Sequence, residues 1–364
     1  MALVLDWLHA DQPGDLIRQA VEALRGGALI SLPTEAGPVV AANAVVADAS
    51  ARLCAVAPGV APALAIADAP DQSPWLPPLE VGGERLIRRC WPGAVTFRLP
   101  ASELIAIAPV LPPSLHEWVR AEGFLDYRCP AHTAAQAVVL AADFPILFQE
   151  LTALGPVADS TNRVADHLAV RVQAGPESPG PPSRVRIEGS RWRVERMGVV
   201  SEAELMRASA RWIVFLCTGN TCRSPMAEGL CKQRLAERLG CGIAELVERG
   251  YNILSAGLAT YPDDGAAPEA VEVVRALGAD LAGHRSRALT ETLLRQADHV
   301  IAMTRAHLIN LLGRYSPTPA ALSLLCGAEG DLEDPIGGGL EVYQACALTI
   351  NRHVDRLIKE WTLR

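Results

Sequence analysis

Three residues in this chain carry side chains that together could transfer a phosphoryl group. Cys217 is followed, after the small polar stretch Thr218-Gly219-Asn220-Thr221-Cys222, by Arg223. Far downstream Asp334 heads the segment Asp334-Pro335-Ile336-Gly337-Gly338. A thiol becomes a strong nucleophile once a positive field favours its thiolate. A guanidinium presents a planar fork that matches two oxygens of a phosphoryl group. A carboxyl group can protonate a leaving group and later deprotonate water. The combination points to attack of sulfur on phosphorus, with Cys217 as nucleophile, Arg223 as holder of the oxygens and Asp334 as general acid and base. The bland readings are a buried Cys that packs as a small hydrophobe and an Asp that caps a loop.

The elements that must position these groups can be read around them. The apolar run 213–216 predicts a buried strand with Cys217 at its C-terminal end. Ser224 suits an N-cap and Pro225 a first helical position, so a helix is predicted over 225–239. Strand, tight loop and helix in that order bring loop N–H groups and a helix N-terminus to the edge of a sheet where ligands of open α/β folds bind. Further on, the sequence predicts strands at 251–255, 299–303 and 321–325. It predicts helices over 268–277, from Thr290, from Thr304, and over 342–361. Strands alternating with helices predict a parallel sheet with helices on both faces.

Composition bounds the rest. Half of the 364 residues are hydrophobic, a fifth are charged, and the net charge is −8. This is the balance of a globular protein long enough for two cored domains, here placed at 1–208 and 209–364. Up to Ala208 there are 17 Arg and no Lys against 23 carboxylates, and the remainder has 16 basic against 18 acidic residues. Neither half is basic, which argues against strong non-specific nucleic-acid binding. Nine scattered cysteines form no regular framework and no zinc-like spacing. They predict a reduced, cytoplasmic protein without a metal. No apolar run reaches transmembrane length, and the first residues show no signal-peptide pattern.

The Cys217 to Pro225 segment behind its strand, together with the Asp-Pro turn, resembles the low-molecular-weight protein tyrosine phosphatase family over about 211–364. The resemblance implies a doubly wound four-stranded parallel sheet and hydrolysis of a phosphorylated protein through a phosphocysteine, with no cofactor. It also implies that Thr218, Gly219, Asn220, Thr221 and Cys222 line the phosphate site and that Ser224 hydrogen-bonds the thiolate. Ser255 and His284 would hold Asn220. Thr221 stands where phosphotyrosine members commonly carry a bulky aliphatic residue, and a hydroxyl can accept from a guanidinium N–H. With Asp-Pro-x-Gly-Gly it looks like the protein-arginine phosphatase branch. Phosphoarginine is therefore put ahead of phosphotyrosine, which stays open because Tyr261 suits an aromatic substrate. Cys222 is either a redox partner of Cys217 or a small loop residue. Arsenate reduction through a cysteine relay would need more thiols near the loop than Cys326, which has no partner close by in sequence.

The first half predicts helices over 15–24 and 49–56, strands at 28–32 and 39–46, a Pro-rich loop over 70–78, and a Gly/Pro/Ser-rich tether over 174–183. A hairpin is predicted over 184–200. Gly27 to Glu35, Trp91-Pro92-Gly93 to Thr96, Arg128 with Pro130 and His132, Ser160-Thr161-Asn162, Ser183 and Arg196-Met197-Gly198 resemble the YrdC-like family of threonylcarbamoyl-adenylate synthases. That family implies a twisted mixed α/β sheet and use of ATP, bicarbonate and threonine. The segment 55–62 carries no base where the family has Lys-x-Arg-Pro, and the half has no lysine. A triphosphate needs fixed positive charge, and Arg128, Arg184 and Arg196 are candidates to supply some of it. The reading is a degenerate domain that binds a nucleotide, binds a partner or only supports its neighbour. Arg184, Arg186, Arg191 and Arg193 are read as a solvated strand face in preference to an RNA site.

Overall fold

From Ile213 to Cys217 every residue of the strand before the loop is buried, so both of its faces are covered. The structure, a computed structural model, describes residues 2–57, 60–67, 76–77, 79–101, 123–151, 164–174, 180–315, 318 and 320–362. The chain divides into two compact units, Met1–Ser209 and Ala210–Arg364.

In the first unit the described strands are β1 (Leu3–Asp6), β2 (Leu29–Leu32), β3 (Val39–Asn43), β4 (Ala63–Ala65), β5 (Val95–Pro100), β6 (Phe124–Arg128), β7 (Ile146–Glu150), β8 (Leu168–Gln173), β9 (Ser183–Glu188) and β10 (Arg191–Arg196). The helices are α1 (Pro13–Arg25), α2 (Ala47–Val56), α3 (Val81–Cys90), α4 (Thr133–Ala141) and α5 (Glu202–Ser209). Among the described residues the strands form one mixed sheet in the order β1-β8-β2-β3-β7-β4-β6-β5-β9-β10. Its two faces carry separate cores. Val40 and Ala42 of β3 pack with α2 and α3, and Val39 and Ala41 pack with α1 and α4. This is the period-two alternation of a strand buried on both sides.

The hairpin forms as β9 and β10, turning at Gly189 with φ +60. Its arginines are not a uniformly solvated face. Arg184 pairs with Asp126 at 2.6 Å and Arg186 pairs with Glu188, both half-buried, while Arg191 and Arg193 are exposed. The strand predicted over 39–46 ends at Asn43, whose side chain accepts the N–H of Val45. The Ser160-Thr161-Asn162 motif lies outside the described residues, as do most of the 70–78 loop, part of the 174–183 tether and part of the 55–62 segment.

In the second unit four strands, β11 (Arg211–Cys217), β12 (Tyr251–Gly257), β13 (His299–Ala302) and β14 (Ala321–Leu324), pair in parallel in the order β12-β11-β13-β14. The helices are α6 (Arg223–Leu239), α7 (Pro268–Ala276), α8 (Glu291–Gln296), α9 (Arg305–Arg314) and α10 (Leu340–Thr362). Ile213, Phe215 and Cys217 face α6, α7 and α10, whereas Val214 and Leu216 face α8 and α9. The sheet is therefore doubly wound, and the Cys217 side chain points to the α6 side.

One boundary departs from the sequence reading in a way that matters. The helix after the loop starts at Arg223, with Cys222 at the N-cap and no capping side chain. Ser224 lies inside the first turn, where its hydroxyl meets Cys217 and Asn220 instead of capping the helix. A local capping preference of about 1 kcal/mol gives way to a tertiary hydrogen-bond network. Among the described residues no helix is long and apolar enough to cross a membrane.

Candidate active site

Cys217 ends β11 in the middle of the sheet and is 3% exposed. Its Sγ accepts the backbone N–H of Asn220 at 3.2 Å and lies 3.0 Å from Ser224 Oγ.

The loop that follows is shaped by Asn220. Its φ is +58, a left-handed conformation that costs a side-chain-bearing residue roughly 1–2 kcal/mol. The fully buried Asn220 side chain offsets this with three bonds. Nδ2 donates to Ser224 Oγ at 2.9 Å and to Ser255 Oγ at 2.8 Å, and Oδ1 accepts the N–H of Arg287 at 2.8 Å. Its carbonyl oxygen lies 2.8 Å from His284 Nε2. Ser255 in turn donates to Glu228 Oε2 at 2.5 Å, and Glu228 pairs with Lys232. Glu228 is a member of this network that the sequence reading did not single out. Its signal was available, since a carboxylate one turn inside an apolar helix start needs a buried partner.

The loop carbonyls are held from outside. Leu258 N–H donates to Cys217 O at 3.1 Å, Ala259 N–H to Thr218 O at 3.0 Å and Ala267 N–H to Thr221 O at 2.9 Å. This packing needs Gly257. A Cβ there would fall 2.0 Å from Thr260 Oγ1 and 2.6 Å from Thr218 O, closer than any side chain permits. Tyr261 lies on the same 258–267 segment and is 84% exposed.

Arg223 is 5% exposed and is clamped from the far side of the chain. Its Nη1 donates to Leu332 O at 3.2 Å, and its Nη2 donates to Asp334 Oδ2. The Asp334 carboxylate is half-exposed and also accepts the Ile336 N–H at 3.3 Å. Gly337, at φ +78, makes the tight turn behind it, and Ile336 projects into solvent. The structure thus brings together Cys217, the whole 218–224 loop, Asp334, Ser255 and His284.

Two neighbours were not legible in the sequence. Tyr343 of α10 is buried with its hydroxyl 3.2 Å from Cys222 Sγ, and burial, then that contact, push its own pKa up. His307 of α9 is buried with Nε2 3.0 Å from Thr218 Oγ1. Two further thiols are also closer than their spacing suggested. Cys326 and Cys346 line one cavity of about 240 Å³ together with Pro335 and Leu332. Burial raises the pKa of the Cys346 thiol to about 12, which makes it a poor nucleophile at neutral pH.

Comparison with known proteins follows this geometry. Residues 212–363 match the low molecular weight phosphotyrosine protein phosphatase family. The protein-arginine-phosphatase of Bacillus subtilis (strain 168) is 38% identical over 152 residues, 41% of this chain and 95% of that protein. The probable low molecular weight protein-tyrosine-phosphatase EpsP of Ralstonia solanacearum is 31% identical over 144 residues, 39% of this chain and 90% of that protein. A crystal structure of a YwlE mutant from Bacillus subtilis is 34% identical, covers 42% of this chain and 99% of its own, and has a TM-score of 0.38. With identity at that level running along nearly the full length of a curated relative, this chain belongs, through residues 212–363, to the low molecular weight phosphotyrosine protein phosphatase family.

Proposed function

We propose that the second unit hydrolyses phosphorylated proteins through a phosphocysteine, with phosphoarginine as the preferred residue and phosphotyrosine as the alternative. The observation that carries the reading is a single one. Cys217 Sγ accepts the Asn220 N–H and lies beside Ser224 Oγ at the mouth of a loop that Arg223 closes, and Arg223 reaches the carboxylate of Asp334. Sulfur attacks phosphorus in line while the loop N–H groups and the Arg223 guanidinium meet the charge on the equatorial oxygens. The bond from phosphorus to the leaving nitrogen or oxygen breaks, and Asp334 gives that atom its proton. In the second step the Asp334 carboxylate takes a proton from water as the water attacks phosphocysteine. Inorganic phosphate leaves and the thiolate is restored.

Thr221 supports phosphoarginine. It is half-buried on the loop, with its hydroxyl 3.7 Å from Cys222 Sγ, and its carbonyl is held by Ala267. A hydroxyl at that place can accept from a guanidinium N–H, and an aliphatic side chain cannot. Substitution Thr221→Ile is expected to shift the ratio of kcat/KM for phosphoarginine over phosphotyrosine peptides by roughly tenfold or more toward phosphotyrosine. An unchanged ratio would remove Thr221 from the selection and with it the case for phosphoarginine. The cysteine relay of an arsenate reductase is not favoured, because the buried Cys346 thiol is held in its unreactive form.

For the first unit the reading is a YrdC-like domain that has lost synthase chemistry. What supports it is that the three arginines available to a triphosphate each meet an internal carboxylate. Arg128 pairs with Glu35, which also accepts the N–H groups of Ala131 and His132 at 2.8 and 3.1 Å. Arg184 pairs with Asp126, whose pKa burial raises to about 6 against the pull of that arginine. Arg196 pairs with Glu150, which also accepts from Thr96 Oγ1 at 2.8 Å. A polyanion would have to displace these carboxylates. In favour of a nucleotide, Arg128 Nη1 is buried without a hydrogen-bond partner. With ATP, bicarbonate and threonine supplied together, the full chain is expected to release no pyrophosphate above background. Sustained release would show that the synthase site survives.

A further inference from the structure

We infer that His307 is a positioning residue of the phosphate loop, bracing Thr218 so that the loop holds its oxyanion-binding shape. The inference rests on the phosphocysteine reading of the loop and adds to it a residue outside the Cys217 to Ser224 segment and outside the Asn220 network.

Thr218 is the first residue after the nucleophile and is gripped from both neighbouring strands. On the β12 side its carbonyl accepts the Ala259 N–H, against Gly257. On the β13 side its hydroxyl meets His307 Nε2 at 3.0 Å. The ring's other nitrogen, Nδ1, lies 3.0 Å from Thr304 Oγ1, and Thr304 caps α9 by accepting the His307 N–H at 3.3 Å. The imidazole is thus held between two hydroxyls, one on the loop and one on the turn that follows β13.

The same turn braces the other end of the loop. Met303 N–H donates to Leu216 O at 3.0 Å, and Met303 O accepts the Leu332 N–H at 2.9 Å. Leu332 O then accepts from Arg223 Nη1. Arg305 N–H donates to Asp331 Oδ1 at 2.8 Å, so α9 starts tied to the segment that leads to Asp334. The turn at 303–305 therefore holds Thr218 through His307 and Arg223 through Leu332.

The charged groups facing the ring are Arg223, Asp334 and Asp331. Burial first, then the Arg223 guanidinium, lower its pKa, and this outweighs the two carboxylates. The neutral ring has one donor and one acceptor, and two rotatable hydroxyls can match either tautomer. An apolar side chain in its place would leave the exposed Thr218 hydroxyl to water and no longer fixed in position beside the site.

The test uses the full chain, an aryl phosphate with a good leaving group, and inorganic phosphate as competitive inhibitor. His307→Leu and Thr218→Val are each expected to raise the phosphate Ki and the KM together by roughly tenfold. The double variant should be no worse than the poorer single variant by more than about twofold, because one contact is lost in all three. Thr218→Ser should recover most of the affinity lost in Thr218→Val, and His307→Gln part of that lost in His307→Leu. If His307→Leu fails to fold, the Val and Ser comparison at Thr218 decides alone. Variants with lowered Tm but an unchanged phosphate Ki would overturn the inference, as would additive losses in the double variant. A wild-type chain that neither binds phosphate nor turns over would instead overturn the phosphatase reading, so the two failures are distinct.

Discussion

Cys217→Ser is expected to cut kcat on any phosphoprotein substrate by about 10⁴-fold or more while leaving thermal stability close to wild type. The general base of the reading, Asp334, is held on Arg223 and serves the leaving group and water, so it is not placed to make an alkoxide at position 217. The two contacts at Sγ, the Asn220 N–H and Ser224 Oγ, are placed around a sulfur nucleophile, and a serine hydroxyl is a far weaker nucleophile than a thiolate. The exchange of sulfur for oxygen is nearly isosteric, and Asn220 stays anchored by Ser224, Ser255 and Arg287, so the fold has no reason to respond. Rapid-quench measurement should find no phosphoenzyme turnover in the variant. Retention of more than about a hundredth of the wild-type rate would sink covalent catalysis through this residue.

Asp334→Asn is expected to lower the rate of the first chemical step by about 10²–10³-fold for substrates with poor leaving groups, and far less for p-nitrophenyl phosphate. A leaving group that is stable as an anion does not need the proton. The amide can still accept the Ile336 N–H, so the turn should persist, but it can neither donate an acid proton nor accept one from water. Single-turnover kinetics separate the two steps. With p-nitrophenyl phosphate the variant should release its first nitrophenolate at close to the wild-type rate and then stall at phosphocysteine. Equal losses on good and poor leaving groups in the first step would assign Asp334 to holding Arg223 instead of moving a proton.

The pairing of Arg223 with Asp334 gives this prediction a structural basis. The arginine is buried and its partner is half-exposed, so the charge that stays dry is the one that must meet phosphate. A phosphoryl dianion competes for the guanidinium and frees the Asp334 carboxyl group, which in its protonated form serves the leaving group. Catalysis and binding then draw on one ion pair, which is why the Asn variant also tests whether KM changes.

How far the sequence carried the reading depends on the range of each interaction. The strand before Cys217, the loop composition and the helix after it are local patterns, and all three elements formed, with the helix starting two residues earlier than its capping signal. Ser224 shows why that signal misled. The best local use of its hydroxyl is a helix cap, but the buried Cys217 and Asn220 need it more. Arg184 and Arg186 show the same effect on a strand. Alternation placed them on one face, and Arg184 finds Asp126 on β6, across β5, while Arg186 pairs with Glu188 of its own strand, so that face is paired and not merely solvated. His307 drew no reading at all, because the sequence marked Thr304 only as a helix start and the contact of the ring with Thr218 lies across the fold.

The sequence by itself determined the reacting atoms: sulfur, guanidinium and carboxylate are identified by residue type and by spacing within short segments. Tertiary structure alone decided what surrounds them. The contact of Thr218 with His307 joins residues 89 positions apart, and that of Arg223 with Asp334 joins residues 111 apart. Which distant side chains meet is set by strand order and by the face on which each residue emerges, and a buried hydrogen bond leaves no periodic trace in the chain that makes it.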